Sequence, residues 1–224
     1  MRVKKGVLGL IGVLWVIALT GGCGPATPGD AAGAVAGADP AGALNAALDY
    51  LVQAYGDRAP AQGLSWQKQG TETGGLLGAE TARFTAGDWA AEVAYPIVAP
   101  ENTVYTVTVS NDATGFSWQG EVDAGLYVNA THPGVVAALR VAVQAVESEQ
   151  QMELPDLMGW TAAQTTPEGL LGRDDWLFEA GVWQAAISFP MVAPEYVIYT
   201  VVLTDPASDF RWEGQVDATG HLVD

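Results

Sequence analysis

The apolar positions of the chain follow two rhythms, one helical and one alternating, and each rhythm occurs twice. In Ala43–Tyr55 the residues Leu44, Ala47, Leu48, Leu51 and Val52 recur at i, i+3, i+4, i+7 and i+8, which is one stripe of an amphipathic helix. Asp39-Pro40 ahead of it has the form of an N-cap followed by proline at the first helical position, and Gly56 stands where a helix would be stopped. Val136, Leu139, Val143 and Val146 predict a second helix over Pro133–Glu149. Elsewhere alternation takes over. Trp89, Ala91, Val93 and Tyr95 alternate with Asp88, Ala90, Glu92 and Ala94, the pattern of a half-buried strand, and Trp183, Ala185, Ile187 and Phe189 repeat it. Ala86-Gly87 and Ala180-Gly181 predict tight turns joining these strands to Thr81–Thr85 and Trp176–Glu179. Pro96 and Pro190 end the ladder, and Ala-Pro-Glu bends the chain before Val104–Val109 and Ile198–Thr204. A turn at Asn111–Gly115 then leads into Phe116–Asp123, and a short strand around Trp66 precedes the set.

The two halves are in register with each other. Trp66 and Trp160, Phe84 and Phe178, Trp89 and Trp183, Tyr105 and Tyr199, Trp118 and Trp212 are all 94 residues apart. Trp66–Ala124 lies over Trp160–Ala218 without a gap, with 26 identities in 59 positions. Gly-Leu-Leu-Gly (75–78 and 169–172), Val-Ala-Pro-Glu (98–101 and 192–195) and Val-Asp-Ala (122–124 and 216–218) recur intact. Two copies are too few for a solenoid. The expected fold is therefore α+β, as two tandem repeats over 43–130 and 131–224. Each is a helix packed on an antiparallel sheet of about four strands.

Composition and charge change the picture at the N-terminus. Three of the nine basic residues, Arg2, Lys4 and Lys5, sit in the first five positions, while all 26 acidic residues lie beyond Cys23. The remainder carries a net charge of about −20, which repels nucleic-acid phosphates and excludes nucleic acid as a partner. The basic start, the apolar run Gly6–Leu19 and the small residues Gly21-Gly22 before Cys23 have the layout of a secretory signal over 1–22. Small residues before the single cysteine resemble a bacterial lipobox, which implies diacylation of Cys23 and a membrane partner through that lipid. Leu19 is one position earlier than the lipobox leucine, with Thr20 in its usual place. Gly6–Gly22 is also at the short limit for a spanning helix, so an uncleaved membrane anchor is the competing reading. From Cys23 to Gly42 the chain is mostly Ala, Gly, Asp and Pro with no aromatic residue and no apolar periodicity, a flexible tether reaching about 25 Å.

Candidate chemistry is sparse. One cysteine excludes a disulfide scaffold and a cysteine-based zinc finger. His132 lies in the junction between the repeats and His221 is three residues from the C-terminus, so neither sits in a nucleophile–histidine–acid pattern. No metal-ligand spacing and no phosphate loop is present, and neither a metal nor another cofactor is expected. Glu101/Glu195 and Asp123/Asp217 are the acids kept in both copies. A carboxylate-based hydrolase needs only such a pair, but retention in both copies fits turn-holding better. No catalytic residue is assigned. Of eight tryptophans, Trp15 lies in the signal and six pair across the repeat, where alternation turns most of them inward. Trp176 has Ala82 as its counterpart and follows Arg173-Asp174-Asp175. An unpaired aromatic beside charges suits partner binding, and these four residues are the candidate contact surface.

A helix on an antiparallel sheet that ends in Val216-Asp217-Ala218-Thr219-Gly220-His221-Leu222 resembles the PepSY/cystatin-like group. That resemblance implies an exported bacterial lipoprotein, a curved sheet and a role in restraining peptidases; it carries no functional residue over to this chain. The expectation is a lipid-anchored extracytoplasmic binding or inhibitory module acting on a secreted protein, with no enzymatic activity. A carbohydrate-binding surface protein using an exposed tryptophan is the alternative, and a carboxylate-based hydrolase the second.

Overall fold

The computed structural model describes residues 38–74, 78–165 and 172–223. Helix α1 runs from Pro40 to Tyr55. The Asp39 side chain caps it, accepting the Gly42 N–H at 2.8 Å, and Pro40 needs no donor partner in the first turn. Gly56, with φ of 56°, ends it. The helix thus begins at its capping signal, four residues before the apolar stripe at Leu44, and Pro40–Gly42 belong to it rather than to the expected tether at 23–42. The rest of the described N-terminal stretch is Ala38 and Asp39; the signal, Cys23 and most of the tether lie outside the described residues. Helix α2 spans Pro133–Gln150, with His132 as its N-cap residue.

Each helix is followed by an antiparallel meander in which every strand pairs with its neighbours in the chain. The first sheet has the order β1 (Gln67–Gly74), β2 (Ala79–Ala86), β3 (Trp89–Pro96), β4 (Tyr105–Asn111), β5 (Phe116–Val122) and β6 (Val128–Asn129). The second runs β7 (Thr161–Thr165), β8 (Arg173–Ala180), β9 (Trp183–Pro190), β10 (Ile198–Asp205), β11 (Phe210–Asp217) and β12 (Leu222–Val223) in the same way. The α+β class stands, but the sheets have six strands each, not four. Strand β1 starts at Gln67, after Trp66, and every one of its residues is exposed, so it carries no buried alternation to betray it. β6 and β12 are two residues long, below the reach of any periodicity.

The turns follow from their residues. Ala86 pairs with Trp89 and Ala180 with Trp183, leaving two-residue loops whose first members, Gly87 and Gly181, have φ of 60° and 63°. The longer β4–β5 and β10–β11 loops are held by Asn111 and Asp205. Their side chains accept the N–H groups of Ala113 and Ala207, at 3.0 and 2.9 Å. After β5 and β11 the aspartate of Val-Asp-Ala accepts two backbone N–H bonds. Asp123 takes those of Gly125 and Tyr127, and Asp217 those of Thr219 and His221. The second of these turns puts Gly220 in the left-handed region, φ 80°, whereas the first forces Leu126 into it, φ 65°.

α1 packs on β3, β4 and β5, α2 packs on β9, β10 and β11, and the two helices pack on each other. The buried side chains of both sheets and both helices form one continuous core. Within it Trp118 stacks on Tyr50 with ring centroids 5.6 Å apart, and its ring lies over Gly120, where a Cβ would overlap it. Trp212 lies over Gly214 in the same way, so each Trp-x-Gly spacing is a packing requirement. Arg58 of the turn after α1 pairs with Asp156, and the Arg140 guanidinium of α2 lies against Gly56 at the negative end of α1.

Two expectations follow for stability. Leu126→Gly should raise the unfolding midpoint, by about 0.5–1 kcal/mol in free energy, because glycine adopts the left-handed region without the Cβ clash. A fall in urea or thermal denaturation would show that Leu126 contributes more by packing than it loses by strain. Trp183 is 8% exposed while its counterpart Trp89 is half-buried, so the pair is not equivalent in packing. Trp183→Ala should therefore cost about 3–5 kcal/mol and Trp89→Ala measurably less, by the same denaturation experiment.

Candidate functional site

The two halves differ most in polar character where β2 and β8 pass the N-terminal ends of the helices. In the first half Glu80 on β2 is almost wholly buried, at 1% exposure, and its Oε2 accepts the Tyr95 hydroxyl at 2.8 Å. Burial and the neighbouring Glu80 carboxylate push the Tyr95 phenol well above its usual range. Tyr105 stacks on Tyr95 at 5.7 Å, and its hydroxyl accepts the Asp39 N–H at 2.8 Å, tying β4 to the cap of α1.

In the second half the acid is Asp174 and the residue paired with it across β8–β9 is Phe189, which has no hydroxyl to offer. Asp174 is half-buried and accepts a bond from the Gln164 side chain at 3.3 Å. His132 takes the capping position that Asp39 holds in the first half. Its Nδ1 accepts the Gly134 N–H at 3.2 Å, and its ring lies 5.9 Å from Phe189, which in turn packs 5.0 Å from Tyr199. Burial lowers the His132 pKa, and the Asp174 carboxylate pulls it in the opposite direction.

Strand alternation divides the four candidate contact residues. Arg173 and Asp175 share one face of β8 and form an ion pair of 2.8 Å. Asp174 and Trp176 are on the other face, the one that carries Phe178 and Ala180 toward the helix. Trp176 is therefore not the exposed aromatic that its charged neighbours suggest: it is half-buried and packed against the core. It replaces Ala82, so an indole occupies what is a methyl position in the first half. Its buried Nε1–H has no hydrogen-bond partner among the described residues. The clefts of about 400 Å³ lie elsewhere, one beside Trp118 and Trp160 and another beside Arg58 and Arg140, and include none of the four.

The other candidates take up local duties. Asp217 is spent on its own turn, and the backbone and Thr219 hydroxyl bonds it accepts hold its carboxyl below the usual range. His221 is exposed beside it, with Nδ1 2.8 Å from the Thr219 hydroxyl. Glu101 and Glu195 are exposed on the short 3₁₀ turns Pro100–Asn102 and Pro194–Tyr196. Among the described residues no group of three or more His, Cys, Asp and Glu is placed to hold a metal ion, and no helix is long and apolar enough to cross a membrane.

Sequence reasoning missed two features. One is the buried Glu80–Tyr95 pair, whose only signal was an acid on the inward phase of an alternating strand. The other is the apolar character of the β3–β4 and β9–β10 loops. These expose Ile97, Val98 and Val104 in one half and Met191, Val192 and Tyr196 in the other. The N–H groups of Ile97 and Met191 donate to the carbonyls of Gly78 and Gly172, which seats each loop beside the preceding hairpin. No protein-family model, no curated protein and no solved structure matches this chain.

Proposed function

We propose that the protein is a non-catalytic binding module, held at the outer face of the cell membrane by a lipidated Cys23. It meets a secreted protein partner through the Asp174–Trp176 region of the second half. The two halves are read as copies of one duplicated element, since strands such as β2 and β8, or β5 and β11, begin 94 residues apart. On that reading the first copy keeps the element closed and the second has been opened to a partner.

The observation that carries this is the buried indole N–H of Trp176, which stands where the first half has the methyl of Ala82. Asp174 lacks the phenol that Glu80 has, and the Trp176 N–H has no acceptor among the described residues. An unpaired buried polar group costs about 1–3 kcal/mol, so a partner that supplies an acceptor to this N–H gains what the free protein forgoes. Asp174, Asp175 and the acidic body around them favour a partner with a basic face and speed its approach. A glycan-stacking role at this surface needs an open indole face, which half-buried Trp176 does not offer.

Trp176→Phe tests the reading, because it removes the N–H and keeps the packing. The unfolding midpoint should hold or rise, since a buried unpaired donor is lost. Partner affinity, followed by titration against the peptidases secreted by the source cell, should weaken about fivefold or more, which is at least 1 kcal/mol. Normal binding by Trp176→Phe and by Trp176→Ala would sink the proposal. The anchor is tested separately. Cys23→Ser should move the protein from the membrane to the soluble fraction or leave it unprocessed; unchanged fractionation and unchanged mass would remove the lipid from the account.

A further inference from the structure

We propose that the N-terminal turn of α2 is an acid-sensitive switch, in which His132 caps the helix while its ring is neutral and releases it when the ring is protonated. The geometry assigns the tautomer. The Gly134 N–H donates to Nδ1 at 3.2 Å, so Nδ1 must carry a lone pair and the single ring proton must be on Nε2. Val135 and Val136 complete the turn by donating to the His132 carbonyl at 3.0 and 3.3 Å. Protonation puts a second N–H on the ring facing that of Gly134, and places a positive charge at the positive end of the helix. The cap then has no acceptor left.

On balance the surroundings bias the ring in the same sense. On β9, Phe189 packs against it and offers no charge. On β10, the Tyr199 hydroxyl lies against Gly134, and burial raises its pKa, so it stays neutral. From α1, Tyr50 donates its hydroxyl to the Thr131 carbonyl at 2.9 Å, and burial likewise raises its pKa. From β8, the Asp174 carboxylate acts on the ring, and among the described residues it is the group toward which an imidazolium would turn. Burial outweighs that attraction and the ring's pKa is lowered, so the folded protein binds this proton less readily than the unfolded chain. The stability that depends on keeping this ring neutral is then complete above the unfolded value of about 6.5 and declines as pH falls toward the lower folded value. Val135 and Val136 are buried, so fraying of this turn reaches the core and the Asp174 surface together.

Asp39 caps α1 with a carboxylate, so the chain contains its own reference helix. The test is amide hydrogen exchange on the full chain at pH 7.5 and pH 5.0, corrected for intrinsic rates. Protection at Gly134–Val136 should fall about fivefold at the lower pH relative to the first turn of α1, as loss of one N-cap implies. In His132→Asn, which keeps a capping oxygen and does not titrate, that fall should vanish, while His221→Asn should retain it. His132→Asp, a copy of the α1 cap, serves if the asparagine variant does not fold. The ¹⁵N shift of Nδ1 supplies a second readout, since a neutral ring capped in this way shows an unprotonated Nδ1. Equal protection at both pH values in the wild type, or an equal fall in His132→Asn, overturns the switch, as does a ring protonated at Nδ1 at pH 7.5.

Discussion

The contact between α1 and α2 is what makes one body of two thin layers. A six-stranded meander with a single helix on one face leaves much of that helix wet, and a unit of fewer than a hundred residues has little apolar surface to spare. Here each helix covers its own sheet and also meets the other helix, so that it is buried on more than one side. The composition of both helices reflects this. Ala43, Ala47 and Ala54 on α1, and Ala138 and Ala142 on α2, are fully buried, and such small side chains let backbones approach closely. Leu44, Leu51, Leu139 and Val146 fill the space that remains. Arg58–Asp156 and Arg140 at the end of α1 add polar contacts at the margin of this seam, where exposed ion pairs contribute modestly.

With the frame held in common, the halves are free to differ in what their inner faces enclose. Glu80 and Tyr95 pair with each other in the first half through one carboxylate oxygen, and the other, Oε1, is buried without a partner among the described residues. Phenylalanine at 189 removes one partner, and aspartate at 174, one methylene shorter, cannot reach as far. Tryptophan at 176 then adds a donor to the same face. The change is small in residue count and large in polar bookkeeping, and it lies beside a helix end capped by an imidazole. Recognition and acid sensitivity would thus share one wall of the second sheet.

Much of the architecture was readable in the residues, for reasons that can be named. The 3.6 period of α1 is clean because one flank faces the sheet, and Asp39-Pro40 marks its start better than the stripe does. The alternation in β3 and β9 is visible because the outer faces of the sheets are wet. β1 was illegible as a strand of its own, since Gln67–Gly74 is exposed on both faces and nothing in Gln-Lys-Gln-Gly-Thr-Glu-Thr-Gly alternates. The candidate surface was half legible. Arg173-Asp174-Asp175-Trp176 stood out by its mismatch with the corresponding stretch of the first half, but charge in the sequence does not say which face of a strand a neighbour takes. Period 2 says it, and it sends Trp176 inward with Phe178. The role of His132 depended on its place before Pro133, a capping position that the residue type alone does not advertise.

The order of strands in both sheets has a consequence for how the chain reaches this state. Each strand pairs with its predecessor and its successor, so the loops closed during sheet formation are short. Low contact order of this kind favours fast folding, because little chain entropy is surrendered before each new pairing is rewarded. A hairpin such as β2–β3 needs nothing that follows it in the sequence. A chain ordered in this way can close each strand edge as soon as the next strand is available, so few open edges stand exposed while the rest of the sheet forms.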